Sequence, residues 1–409
     1  MRALALLSLT WALTGCYLSH ERAPDAGDRD AGPARPRIVE LSAGGDHTCA
    51  RTDEGEVRCW GWDQLGQLGV GEGDASSCER RITLGPERRE ATRVEGITGA
   101  VSLAAGLDHS CALLADGTLR CWGAGCRGQL GNGAIDGSEV PVPIGTPDLV
   151  LGVGAGHGHT VAITRGETLL SWGWNGYGQL GIGTTSPLAE PGATEPVDVP
   201  GLARIVAADL GLAHSCALDR DGLVWCWGAN GAGQLGDGTS DVRSVPQPVR
   251  GLPGPARALA LGDRHTCAIV EGSGVWCWGL NDTGQLGVAP SCAGMECDRE
   301  RVAVLVGLPD AIGITAGSRH TCALDGEGAV WCWGSNDVGQ LGLGAIGGAR
   351  PTPSAVGLEG AEAITAGQNH TCALVEGEAR CWGRNAQGQL GDGAGSDSGT
   401  PVALHWAEP

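Results

Sequence analysis

An all-β chain closed into a seven-bladed β-propeller of four-stranded blades is the fold class this sequence predicts, on three observations. A variant of A-G-x-x-H-T-C-A-L recurs seven times, anchored by His47, His109, His159, His214, His265, His320 and His370. A period of about 50 residues marks a propeller, solenoid or array whose units bury their apolar faces only against one another. Each copy is followed by C-W-G-x-N-x-x-G-Q-L-G or a close variant, so every unit repeats the same strand, hairpin and turn. The chain ends then look complementary. The first repeat begins at Arg37, Ile38 and Val39 without a P-x-x-V segment before it, and the last is followed by Thr400, Pro401, Val402, Ala403 and Leu404. The expectation is one blade shared between the ends, with N- and C-terminal strands pairing to latch a ring where a solenoid would need caps.

Composition agrees with many short strands and tight turns: 72 Gly and 21 Pro stand among 409 residues. The formal charge is −20, all 27 basic residues are Arg, and Phe is absent. A surface this acidic repels nucleic acid and anionic lipid, which argues against any phosphate-binding role. The missing Lys and Phe read as a genomic composition bias.

Taken from the start, residues 1–15 form a secretory signal: Arg2, an apolar run from Ala3 to Leu13, then Thr14 and Gly15, too short to span a bilayer. The segment Leu13-Thr14-Gly15-Cys16 resembles a bacterial lipobox. The resemblance implies that Cys16 is diacylated on sulfur and becomes the first mature residue. Tyr17, not Asp, follows it, so the inner-membrane retention signal is missing and the outer membrane or cell surface is the expected address. Residues 16–36, rich in Asp, Ala, Pro, Gly and Arg, are the lipidated Cys and a flexible tether. The propeller spans residues 37–406, and membrane contact is expected only through the anchor.

Within each unit four strands are expected. In the sixth, a P-x-x-V-G-L segment of the kind seen at Pro353–Leu358 is read as the first strand, followed by residues 311–315, 320–324 and 330–333. His, Cys and Leu share one face of the third strand by alternation. The Gly after each Trp is expected either to relieve crowding or to take positive φ, and the Leu of G-Q-L-G to plug the seam between units.

Seventeen cysteines leave sixteen once Cys16 is assigned to lipid. Twelve form local pairs: Cys49 with Cys59, Cys111 with Cys121, Cys216 with Cys226, Cys267 with Cys277, Cys322 with Cys332 and Cys372 with Cys381. The third unit tests the pairing, because Val161 and Ser171 replace both cysteines at once. A spacing of ten centres a hairpin on a three-residue loop such as Ala115-Asp116-Gly117 or Arg220-Asp221-Gly222. Cysteines then face each other at about 4.5 to 5.5 Å between Cα atoms, within disulfide reach. In the last unit the spacing is nine, and a two-residue Glu376-Gly377 turn restores the same register. Cys292 is expected to pair with Cys297 inside one insert, and Cys78 with Cys126. Zinc held by His and Cys is the rival. It fails because His159 persists where both cysteines are lost, and because an exported chain meets oxidising conditions. Neither metal nor cofactor is expected.

The paired motifs resemble the repeat of the regulator of chromosome condensation family across residues 37–406. The resemblance implies a seven-bladed propeller, and its founding member acts on a nuclear GTPase. That activity does not transfer to an exported acidic chain, and propellers host unrelated functions, so the site has to be argued from its residues.

Residues present in every unit build the unit. Seven equivalent histidines therefore read as a repeated hydrogen-bonding device, and Trp60, Trp122 and Trp382 as core. No nucleophile, base and orienting group form a set. Gly152-x-Gly154-x-Gly156 lacks the βαβ context of a nucleotide loop. The aspartates of Gly236-Asp237-Gly238 and Gly391-Asp392-Gly393 read as turn residues in preference to calcium ligands. Function is expected where units differ, on the rim that carries the loop before each His and the W-G turn. The D-G hairpins lie on the opposite rim. Trp62, Arg127, Trp174, Tyr177, Arg264, Arg319 and Arg384 are the candidate partner-binding residues, being of the types found at binding hot spots. For Trp62 and Trp174, packing over the end of their own blade is an equal alternative. The functional expectation is a surface-anchored, non-enzymatic scaffold that binds a protein, in preference to a polysaccharide, and no nucleic acid. An inhibitor of a secreted enzyme is one alternative, and a polysaccharide lyase or hydrolase with paired carboxylates is another.

Overall fold

Among the described residues, short runs of β-branched and small residues between glycine-rich turns fold as strands and turns, without helices. The computed structural model describes residues 36–75, 87–290 and 299–407. Seven four-stranded antiparallel sheets follow one another along the chain. In the first, Ile38–Ala43 is innermost, then His47–Thr52, Val57–Trp62 and the outer strand Glu87–Arg93. The innermost strands line a central channel of about 240 Å³.

The phase of the repeat differs from the sequence expectation. The P-x-x-V segment is the outermost strand of the unit it follows: Arg350–Ala355 pairs with Val330–Gly334, and Ser398–Ala403 with Glu378–Gly383. No blade is therefore shared between the chain ends. After the G-Q-L-G turn the chain returns antiparallel to the strand it has just left, the nearest edge available to it. The ends still meet. Ala91 in the outer strand of blade 1 forms a parallel bridge with Trp406, and its N–H donates to His405 O at 3.0 Å.

One arrangement repeats at every seam. The histidine of each blade reaches a Ser or Thr of the next through Nε2, from His47 to Ser110 at 2.8 Å around to His370 and Thr48 at 2.8 Å. Each hydroxyl in turn donates to the main-chain carbonyl of the G-Q-L-G glutamine of the preceding blade, as Ser110 does to Gln67 O at 2.9 Å. The same carbonyl accepts the indole N–H of the next blade, as Gln67 O does from Trp122 at 2.9 Å and Gln389 O from Trp60 at 2.9 Å. A hydroxyl has one proton, and it is spent on the carbonyl. The imidazole must therefore be the donor, neutral and protonated on Nε2. Beside this relay, a Cβ added to Gly44, Gly106, Gly156, Gly211, Gly262, Gly317 or Gly367 would stand 2.2 to 2.9 Å from the next glycine's carbonyl oxygen, and the series runs back from Gly367 to Gly44. Seven apolar clusters fill the seams. That between blades 7 and 1 joins Leu390 and Leu374 to Ile38 and Trp60, so the glutamine-loop leucine enters the seam.

The glycine after each Trp has φ between 98° and 106°, which brings the strand against the loop before the histidine. Six hairpin disulfides close Cys49–Cys59, Cys111–Cys121, Cys216–Cys226, Cys267–Cys277, Cys322–Cys332 and Cys372–Cys381, with Cα atoms 4.0 to 4.1 Å apart. In blade 3, Val161 faces Ser171, whose hydroxyl donates to Leu180 O at 2.7 Å. Glu376 and Gly377 both take positive φ in the shortened last hairpin, the conformation of a two-residue type I′ turn. Cys126 is disulfide-bonded. Cys16, Cys78, Cys292 and Cys297 lie outside the described residues.

Burial drives the seam imidazoles down from 6.5, to about 4 for His109, His265 and His370 and to about 3 for His214 and His320. The unfolded chain binds these protons near pH 6.5 and the folded chain only below about 4. Their contribution is therefore complete above pH 6.5 and lost as the pH falls, by about 1 kcal/mol per pH unit for each histidine. Through these histidines, thermal melting is expected to drop steeply between pH 6.5 and 4, with no contribution from them between pH 8 and 7. The variant His320→Gln should reduce the pH slope of stability by about one proton, and an unchanged slope would contradict the relay.

Candidate rim site

The W-G turns are rigid platforms. In five blades an asparagine, such as Asn175, accepts the leucine N–H through Oδ1 at 3.0 to 3.1 Å. The glutamine side chain accepts the N–H two residues before it, at 2.9 Å for Gln179 and Tyr177. The residues displayed between these anchors have little freedom to move, and that is where blades 2 and 3 converge. The Arg127 guanidinium stacks over the Trp174 ring at 4.5 Å. Trp174 meets Tyr177 edge-on, with centroids 5.6 Å apart. Arg127 Nη1 and Trp174 Nε1 both donate to Leu188 O, at 3.2 and 3.1 Å. Tyr177 is 37% exposed and Leu188 55%. A cation, two aromatic rings and an aliphatic side chain thus form a preorganised patch across one seam.

The other candidates do not join it. Trp62 is only 6% exposed, so its role is packing and it is too deep to be a contact residue. Arg319 pairs with Asp282, and Arg384 Nε lies 3.9 Å from Asp46. Arg264 is exposed, close to Gly231 of the neighbouring blade.

A second constellation at the channel mouth escaped the sequence reading, although its members stand among the variable residues before the histidines. His157 Nε2 lies 2.9 Å from Asp263 Oδ1, and Ser318 Oγ donates to Asp263 Oδ2 at 2.5 Å. Burial pushes the Asp263 carboxyl up, but the hydrogen bond and charge of His157, with Ser318, hold it below its usual range. These residues come from blades 3, 5 and 6, so no spacing within a repeat signals them. The carboxylate is central and the serine does not touch the imidazole. The set braces the mouth and lacks the geometry of an activated nucleophile. Among the described residues no group of His, Cys, Asp and Glu is arranged to hold a metal.

A family model for the RCC1-like domain matches residues 17–307, and models of the regulator of chromosome condensation (RCC1) repeat match residues 311–340, 362–389 and 327–374. The chain belongs to the RCC1-like domain family. The ultraviolet-B receptor UVR8 of Arabidopsis thaliana is 33% identical over 312 residues, which are 75% of this chain and 55% of the receptor. The chain thus spans about half the length of that curated relative. The crystal structure of human WBSCR16 superimposes with a TM-score of 0.75 at 25% identity, covering 85% of this chain and 93% of that one. Prp20p of Saccharomyces cerevisiae, described with its binding to Gsp1p and histones, shares the fold at a TM-score of 0.69 and 22% identity, covering 81% and 80%.

In this RCC1-like propeller two turns depart from the asparagine rule, that of blade 2 with Gly125 and that of blade 1 with an aspartate. Asp63 occupies the asparagine position of blade 1 and accepts Leu68 N–H at 2.9 Å through Oδ1. Its Oδ2 is buried and has no partner among the described residues, at the place where asparagines elsewhere donate through Nδ2, as Asn336 does to Ala345 O at 2.8 Å. Burial raises the Asp63 carboxyl to about 8, against the Leu68 N–H and Arg88 and with Glu72 and Glu139. The raised value means that ionisation costs stability as the pH climbs from the unfolded value near 4 towards 8. Asp63→Asn is expected to raise the melting temperature, with a gain growing by about 1 kcal/mol per pH unit across that window. A gain independent of pH would contradict this assignment.

Proposed function

We propose that this chain is an exported, lipid-anchored interaction scaffold that binds a protein through the rim patch of Arg127, Trp174, Tyr177 and Leu188. The observation that carries the reading is the stacked Arg127–Trp174–Tyr177 cluster, rigid before any partner arrives and spanning two blades. Binding to such a patch loses little side-chain entropy, and aromatic and arginine anchors dominate interface energies. The lipobox-like Leu13-Thr14-Gly15-Cys16 supports anchoring. Ile38 N–H donates to Gly377 O at 3.0 Å, so the first described strand starts on the hairpin rim, opposite the aromatic rim. The relatives' partners are not carried over, because Prp20p shares the fold alone and an acidic surface does not suit chromatin.

Affinity capture on the mature propeller, with exported proteins of the source organism, supplies the partner. Trp174→Ala with Tyr177→Ala, or Arg127→Ala, should weaken its binding by about 2 kcal/mol, roughly 30-fold, with little change in melting temperature. Asp116→Ser and Asp221→Ser on the hairpin rim should leave it intact. Loss of affinity from the hairpin rim alone would overturn the choice of face. For the anchor, Cys16→Ala should abolish the lipid mass and release the protein from the membrane fraction. Unchanged fractionation without lipid on the wild type would count against it.

A further inference from the structure

Every blade ends in an outer strand whose free edge invites pairing with another chain. Five blades blunt that edge in the same way. Counting from the residue that faces the glycine of the C-W-G strand, the third residue on is Pro141, Pro196, Pro246, Pro353 or Pro401. Proline has no N–H to offer, so the main-chain nitrogen at this register points away from the sheet without bonding anything. Blades 1 and 5 have alanine there instead, Ala91 and Ala303. In blade 1 the chain's own end covers the position: Ala91 N–H donates to His405 O at 3.0 Å, and Ala91 O accepts from Ala407 N at 3.4 Å. In blade 5 no backbone group among the described residues reaches Ala303 or Leu305 from outside the sheet. The carbonyl two residues before each alanine confirms the direction, since Arg301 O accepts from Gly238 N at 3.1 Å just as Arg89 O accepts from Gly393 N at 3.0 Å.

This edge also has the side chains of a docking strand. Arg299–Gly307 is the longest outer strand, and it exposes Val302 by 42% and Leu305 by 50%. The blade 1 strand is charged almost throughout by contrast. At the leading end Arg299 Nη1 donates to Gly231 O at 2.9 Å, Arg264 lies against the same glycine, and Arg301 is exposed beside them. A local arginine group on a chain of net charge −20 selects against a second copy and for acidic residues.

We propose that the outer strand of blade 5 is a strand-addition site, which takes an extended segment of a partner protein with acidic residues at its N-terminal end followed by alternating apolar residues. The segment runs parallel to residues 302–306, as the Trp406 segment does beside Ala91. Main-chain bonds to Ala303 and Leu305 hold it, and Arg264, Arg299 and Arg301 set its direction. The site is on a different blade from the aromatic rim patch and does not depend on it.

The test is amide hydrogen exchange on the propeller with the probe peptide acetyl-Glu-Asp-Val-Thr-Val-Thr-Val-amide. In the free protein Ala303 and Leu305 should exchange much faster than Val304, and saturating peptide should slow both about tenfold or more. Ala303→Pro, which copies the other blades, should abolish binding at unchanged melting temperature. Leu305→Asp, at an exposed position, should weaken it as well and serves if the proline variant does not fold. Replacing Glu-Asp by Arg-Arg in the peptide should weaken binding about fivefold or more. Three results would overturn the proposal. They are slow exchange at Ala303 before peptide is added, concentration-dependent dimerisation that protects the same amides, and peptide binding indifferent to both substitutions.

Discussion

The bond from each histidine to the hydroxyl of the next blade is the interaction on which the ring depends. It crosses the seam at full burial, where a polar group without a partner costs about 1 to 3 kcal/mol. It is satisfied only because the hydroxyl can pass its own proton to a glutamine-loop carbonyl that already holds a tryptophan indole. The glycine series beside it lets the blades approach closely enough for this relay to form. Remove the glycine and the close approach is no longer possible without a clash against the next glycine's carbonyl. Remove the histidine and the buried hydroxyl oxygen loses its donor, while its own bond to the carbonyl and that of the indole remain. The pattern runs unbroken through the meeting of the chain ends, from His370 to Thr48. Closure of the ring is therefore the same event as the packing of any two blades.

That uniformity explains what each blade can afford to change. Blade 3 lacks its disulfide, yet keeps His159 bonded to Ser215 at 2.8 Å and Trp172 bonded to Gln129 O at 3.0 Å. The disulfide staples one hairpin, whereas the relay joins neighbours, and the two devices are independent. Blade 1 tolerates an aspartate in its turn because a protonated carboxyl has an asparagine's shape and one of its donors. Variation that spares the relay is cheap, and it accumulates on the rim and on the outer edges.

Those are the two kinds of surface on which the proposed binding sites lie. The aromatic patch of blades 2 and 3 sits on a blade 3 turn locked by Asn175 and Gln179 and a blade 2 turn held by Gln129. The edge of blade 5 is instead exceptional in carrying neither a proline at that register nor, among the described residues, a covering segment. Where the other outer edges are blunted by proline or covered by the chain end, an edge with neither stands apart. The channel-mouth set of His157, Asp263 and Ser318 is a third local departure, and it ties blades that are not neighbours in sequence.

The repeat period, the hairpin cysteines with their joint loss at Val161 and Ser171, and the placement of Trp and Leu in the core could all be read from the chain, because each is a local pattern written six or seven times. Arg127, Trp174 and Tyr177 could be named as candidates for the same reason, since they break the pattern. What the chain alone did not decide was the phase of the repeat. A P-x-x-V strand is equally close in sequence to the unit before it and the unit after it, and only the return of the G-Q-L-G turn assigns it to the former. Nor could it say that Arg127 lies over Trp174 while Arg319 and Arg384 have acidic neighbours, or that Asp263 joins His157 across the mouth. Those relations are set by the curvature that brings seven seams around one axis. They connect residues 37 or more positions apart, across blades, where no pattern within one unit reaches.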